Sequence, residues 1–215
     1  MGPATAGEQA SALLVLRDEL AAETGLGQAV VLELEGTDSD LFGRFVATGP
    51  RAVESCEYAI LIEAIREGYL LHYGSPRLFV SVIDPDLALL AGDFLYALGL
   101  ERLSRLSNLE AVHELSDLIS LQAVIHSDGP PFDASTLYLA SALWLGVGVA
   151  VAFGGNGEFE ALKAEIPEGR DLRGLSERIL AWADARVGES GVNEAWTRLR
   201  EQVGFGNHSE PPSLD

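Results

Sequence analysis

Hydrophobic residues recur at spacings of three and four along most of the chain, and no two stretches alternate regularly enough to pair as strands, so the pattern predicts an all-α fold. The densest stretch is Asp84 to Leu106. Leu87, Leu90, Ala91, Phe94 and Leu98 form one apolar stripe, and Leu89, Tyr96, Leu100 and Leu103 a second. A helix apolar on two sides is expected at the domain centre, with little surface facing water before Arg102. Asp84 is a capping residue, Pro85 suits the first helical position, and Asp86 places negative charge at the positive end of the helix dipole. Asp93 falls on the second stripe. A carboxylate buried there would cost several kcal/mol unless a cation or several donors met it, so Asp93 is expected to be a buried central carboxylate reached by Arg51, Arg66, Arg77 or His72.

Shorter helices are predicted on both sides. Ser11 to Glu23 carries Leu13, Leu14, Leu16 and Leu20 on one face and is stopped by Gly25 and Gly27. Gln28 to Leu34 is read as helix, because an isolated strand would leave its backbone unpaired. Asp40 is placed to cap a helix from Leu41 to Ala47. From Pro50 to about Leu71 the pattern puts Val53, Cys56, Ala59, Ile60, Ile62, Ala64 and Ile65 inside and Glu54, Glu57, Glu63, Arg66 and Glu67 mostly outside. Asn108 caps a helix from Leu109 to His126, and Asp133 caps an uncharged one running to Phe153, where Gly154-Gly155-Asn156-Gly157 ends it. Helices over about Glu158 to Glu165, Leu172 to Val187 and Asn193 to Val203 complete a single domain of residues 11–203. Residues 1–10 and 204–215 read as a disordered arm and tail.

Composition narrows the function classes. The 215 residues fit one domain, and a net charge of -19 argues against nucleic acid and against an anionic membrane surface, whose phosphates would repel it. Cys56 is the sole cysteine, which excludes an internal disulfide and a cysteine metal cluster and fits a reducing cytoplasm. The opening MGPATAGEQA lacks the basic residues and apolar core of a secretory signal. Leu137 to Phe153 falls just short of the roughly 18 apolar residues of a membrane span and reads as a buried helix.

Residues 89 to 97, Leu-Leu-Ala-Gly-Asp-Phe-Leu-Tyr-Ala, resemble the AxLAGDxLLxxA segment of the all-α trans-polyprenyl diphosphate synthases. In that family the segment follows an aspartate-rich DDxxD motif and an RRGxP turn. Here the turn is His72-Tyr73-Gly74-Ser75-Pro76, in which Gly74 and Pro76 match and the two arginines do not. Counting back from Gly74 places the aspartate-rich motif on Glu63-Ala64-Ile65-Arg66-Glu67; counting instead along the motif-bearing helix shifts it by one residue and loses both acids. Either way the double aspartate is absent, and residues 154 to 203 contain no paired aspartates to serve as the family's second motif. The resemblance covers roughly residues 50 to 155 and implies a truncated helical bundle of the isoprenoid-synthase type.

Ionising an allylic diphosphate requires several carboxylates to hold metal ions against both phosphates as the leaving group departs. Glu63 and Glu67, four residues apart, are the degenerate remnant of that site, and His72 and Tyr73 cannot replace bidentate cations on a diphosphate. The resemblance therefore implies no cofactor and a non-catalytic subunit, similar to the first component of heptaprenyl diphosphate synthase. Its partner would be a catalytic polyprenyl synthase chain, a second copy of itself, or both, with a prenyl chain as a further ligand. Two alternatives stand beside it: a stand-alone prenyl- or lipid-binding protein, and a divergent magnesium-dependent prenyl transferase using Glu63, Glu67 and Asp93. His113 and His126 read as ordinary solvated or core histidines. The apolar helices predict an oligomer, since the surrounding helices offer one stripe each to cover them.

Overall fold

The computed structural model describes residues 11–22, 40–79, 84–127, 133–169 and 171–203, and among these it is all-helical. The helices are α1 (Ala12–Ala22), α2 (Leu41–Ala47), α3 (Ser55–Tyr73), α4 (Pro85–Arg105), α5 (Leu109–Ser127), α6 (Ala134–Phe153), α7 (Gly157–Glu165), α8 (Leu172–Gly188) and α9 (Asn193–Gln202), with a 3-10 turn over Ile166–Glu168 after α7. The readings at Gln28 to Leu34 and of the terminal arm and tail lie outside the described residues.

The local start signals act as the sequence implies. The Asp84 carboxylate accepts from the N–H groups of Asp86 and Leu87, Asp133 from Ser135 and Thr136, and Asn108 from Ala111. Each meets a donor that the first turn of a helix leaves free. Asp40 differs. It precedes α2, but its buried carboxylate turns to α1 and accepts from the first helical N–H there, Ala12, at 2.9 Å. One carboxylate thereby ties two helices that are distant in sequence. The third helix starts at Ser55 rather than Pro50, because residues 50–54 form a turn after α2.

The helix at the centre is α6, not α4. Every residue from Ala142 to Ala152 is buried, and α6 packs against α2, α5 and α8. It is the one described helix long and apolar enough to cross a membrane by length and composition, and most of it is enclosed by the bundle. The expectation that Asp84 to Leu106 forms the core fails for a steric reason. Among its buried residues Ala91, Gly92, Leu95, Gly99 and Leu103, the glycines bring α4 close against α3, so α4 is buried on that one side. A β-carbon on Gly99 would lie 2.5 Å from Ile65 Cγ1 and 3.0 Å from the Leu61 carbonyl oxygen. Residues of both stripes remain outside: Leu90 is 66% exposed, Leu89 47% and Phe94 36%. A smaller core joins Leu13, Leu16 and Leu20 of α1 to Ala64 and Leu71 of α3, Leu78, Phe79, and Ala91 and Leu95 of α4.

Because the α3–α4 approach depends on the missing side chain, Gly99→Val is expected to destabilise the protein by about 1–3 kcal/mol through overpacking. Urea denaturation would read this as a lower midpoint with an unchanged slope.

Candidate functional site

The acidic pair on α3 faces inward. Glu63 and Glu67, placed outside by the sequence pattern, have no solvent exposure. Each of their four oxygens is occupied. Glu63 Oε1 accepts from the Gly43 N–H at 2.6 Å, and Oε2 from Arg77 Nη1 at 2.7 Å. Glu67 Oε1 accepts from the N–H groups of Arg77 and Leu78 at 2.6 and 2.7 Å, and Oε2 from Arg77 Nε at 3.0 Å. Burial works against the Arg77 charge, but attraction and hydrogen bonds from both glutamates outweigh it and raise its pKa. Gly43 belongs to this arrangement, since a β-carbon there would meet the Ala59 carbonyl and stand 2.9 Å from Glu63 Cγ. The glutamates therefore do not fit a magnesium site: a cation already bridges them, and backbone donors fill the remaining positions.

The turn after α3 explains how Arg77 arrives. The Gly74 N–H closes the helix on the Leu70 carbonyl at 2.9 Å, and three residues later Arg77 has doubled back on the helix it left. Gly74 and Pro76 thus shape the return that carries a cation to Glu67. His72 and Tyr73 stack on other rings: His72 lies parallel to Tyr96 with centroids 5.3 Å apart, and Tyr73 parallel to His126 at 4.3 Å. The Tyr69 hydroxyl is 3.2 Å from His126 Nε2, and burial lowers the His126 pKa.

Asp93 is a correction. Its side chain is 72% exposed, not buried, because it lies with Leu89, Leu90 and Phe94 on the outward side of α4, away from the α3 contact. Its carboxylate does lie 3.2 Å from His72 Nε2, one of the partners anticipated for it. It stands apart from the Glu63–Glu67–Arg77 set, so the three acids of the divergent-enzyme alternative are not brought together around one point.

A second charged cluster, missed by the sequence reading, joins α5 to α7. Lys163, the chain's one lysine, is buried with its ammonium 2.7 Å from Asp117, 2.8 Å from Glu160 and 2.9 Å from Glu114. Burial opposes its charge, yet the three carboxylates prevail and push its pKa up to about 12; burial likewise raises Glu114, partly offset by Lys163. His113 Nε2 lies 3.5 Å from Asp117 and 3.6 Å from Glu160, so His113, Asp117 and Glu160 offer a ligand-like trio. Both carboxylates already hold the Lys163 ammonium, which makes the cluster an internal ion pair between helices. Beside it lies a cleft of about 520 Å³ lined by Arg51, Glu110, His113, Glu114, Asn156 and Glu160 among others. The available signal was the i, i+4 spacing of His113 and Asp117 and the i, i+3 spacing of Glu160 and Lys163.

Comparison with known protein families, curated proteins and solved structures finds no match to the chain. Its functional reading rests on its own residues.

Removing Arg77 would leave two buried carboxylates without their cation, so Arg77→Met is expected to cost about 3–5 kcal/mol at neutral pH. Urea denaturation at neutral pH tests the size of the loss. Asp93→Asn, which alters an exposed pair, is expected to change stability by less than about 1 kcal/mol. His126 supplies a third expectation. Its pKa is lowered from 6.5 by burial, so its contribution is full above 6.5 and is lost as pH falls through the lower folded value. His126→Phe keeps a ring against Tyr73 but cannot take a proton, and its melting temperature should fall less steeply than the parent's just below pH 6.5; parallel melting curves would refute this.

Proposed function

We propose that the chain is the non-catalytic helical subunit of a heteromeric trans-polyprenyl diphosphate synthase, assembling in the cytoplasm with a catalytic chain that supplies both aspartate-rich motifs. The observation carrying this reading is the inward closure of Glu63 and Glu67 on Arg77. Counted back from Gly74, the resemblance would put the first metal-binding motif at these two positions, and here their carboxylates hold two helical segments and a turn together. A helical frame whose metal-holding acids serve packing suits a partner of an enzyme.

The proposed docking surface is the outer stripe of α4. Leu89, Leu90 and Phe94 are exposed together on successive turns, beside Asp93 and Ala97. A run of large apolar side chains on one helix face is a common mark of a protein interface. The chain's acidity favours a partner that is basic around the contact, since complementary charge steers encounter and disfavours self-association.

The test is co-expression with a candidate catalytic chain encoded nearby, followed by sedimentation and an elongation assay with farnesyl and isopentenyl diphosphates in magnesium. The isolated chain is expected to give no elongation, and the complex to elongate. Leu90→Glu and Phe94→Glu are expected to abolish the complex without unfolding the chain, because neither side chain is buried. Turnover by the isolated chain that disappears in Glu63→Gln would contradict the proposal, as would a monomer indifferent to the added partner.

A further inference from the structure

In a chain whose acids exceed its bases by 19, one arginine among the described residues lacks an acid. Every other described arginine, and the lysine, lies within 3.9 Å of a carboxylate oxygen. Arg66 does not, although it occupies the middle of α3 between Glu63 and Glu67 in sequence. Those glutamates turn to Arg77, and no described residue accepts a hydrogen bond from the Arg66 guanidinium, whose Nε is enclosed without an acceptor. Its charge does balance the buried group electrically, since two glutamates face two arginines. Balance accounts for the sign of the charge and leaves the enclosed Nε–H unmet. The residue is half-buried, and that one N–H loses its water without gaining a hydrogen bond; burial lowers the pKa of the group accordingly.

The surroundings suit a bound group. Arg66 Cζ sits 5.0 Å over the Phe42 ring, and the same ring meets Trp144 edge-on with centroids 5.3 Å apart. Trp144 Nε1 is a second enclosed donor without an acceptor. Tyr69, three residues beyond Arg66 on the same face of α3, packs against Trp144 from the other side. Two unmet donors thus flank one aromatic ring. Buried donors are nearly always paired, so two orphans against a common neighbour mark a place where an acceptor is missing.

We propose that Arg66 receives the oxyanion of a small molecule, a phosphate or a carboxylate, at the edge of the aromatic cluster of Phe42, Tyr69 and Trp144. A planar guanidinium binds either oxyanion through paired N–H groups, and the enclosure makes such a pair stronger than at the surface. The rest of the acidic surface repels anions, so this one cation also confines binding to one place. The inference does not depend on the assembly proposed above.

The experiment is isothermal titration calorimetry at low ionic strength with inorganic phosphate, inorganic diphosphate and benzoate as separate probes. The proteins are the parent chain, Arg66→Met, Arg66→Gln and the surface control Arg173→Gln. Expected is one-to-one binding of at least one probe, weakened at least tenfold in both Arg66 variants and unchanged in the control; phosphate against benzoate separates the two kinds of oxyanion. Silence with all three probes, or equal binding by the parent and the Arg66 variants, meaning an adventitious ion only, would overturn the proposal.

Discussion

Two carboxylates on successive turns of α3 hold one guanidinium, and the arrangement of the N-terminal half depends on that clamp. Glu67 receives Arg77 through side chain and backbone at once, fixing the return of the chain after α3, while Glu63 reaches the Gly43 N–H and so fixes α2 against the same helix. Unpaired, either carboxylate would be an uncompensated charge in the core, and the cost of that state makes the paired geometry nearly obligatory. The clamp also decides the chemistry. Carboxylates bridged by an arginine and met by three N–H groups could take a metal ion and its water only by displacing that arginine.

The same device recurs at the other end of the bundle. Lys163 of α7 is buried among Glu114 and Asp117 of α5 and Glu160 of its own helix. In a protein of net charge -19, Arg77 and Lys163 are two cations placed where separate segments must be joined. Arg102 follows the pattern by bridging Glu19 of α1 and Glu57 of α3 from α4. Such cross-links specify which helix packs on which more than they add to net stability, because desolvation consumes much of their attraction.

Features decided within a few residues were legible in the sequence. The caps at Asp84, Asn108 and Asp133, the helix bounds around them and the burial of the uncharged helix α6 depend on local donors and on local hydrophobicity. What depended on long reach was hidden. Asp40 serves a helix 28 residues away, and Arg77 reaches back 10 and 14 residues to its glutamates. Periodicity placed α4 at the centre because it counts apolar residues without weighing their size. Gly92 and Gly99 make the tight face and leave the bulky Leu89, Leu90 and Phe94 outside, carrying Asp93 out with them. The resemblance to polyprenyl synthases drew attention to the α3 acids and the turn after them, but the inward direction of the carboxylates came only with the fold.

An anomalous difference map from a crystal soaked in manganese tests the central claim most directly, because manganese takes magnesium-type oxygen sites and scatters anomalously. The account predicts no peak between Glu63 and Glu67, with the Arg77 guanidinium in contact with both carboxylates. A peak bridging the two glutamates with Arg77 swung away would contradict it and return α3 to the role of a metal-binding helix.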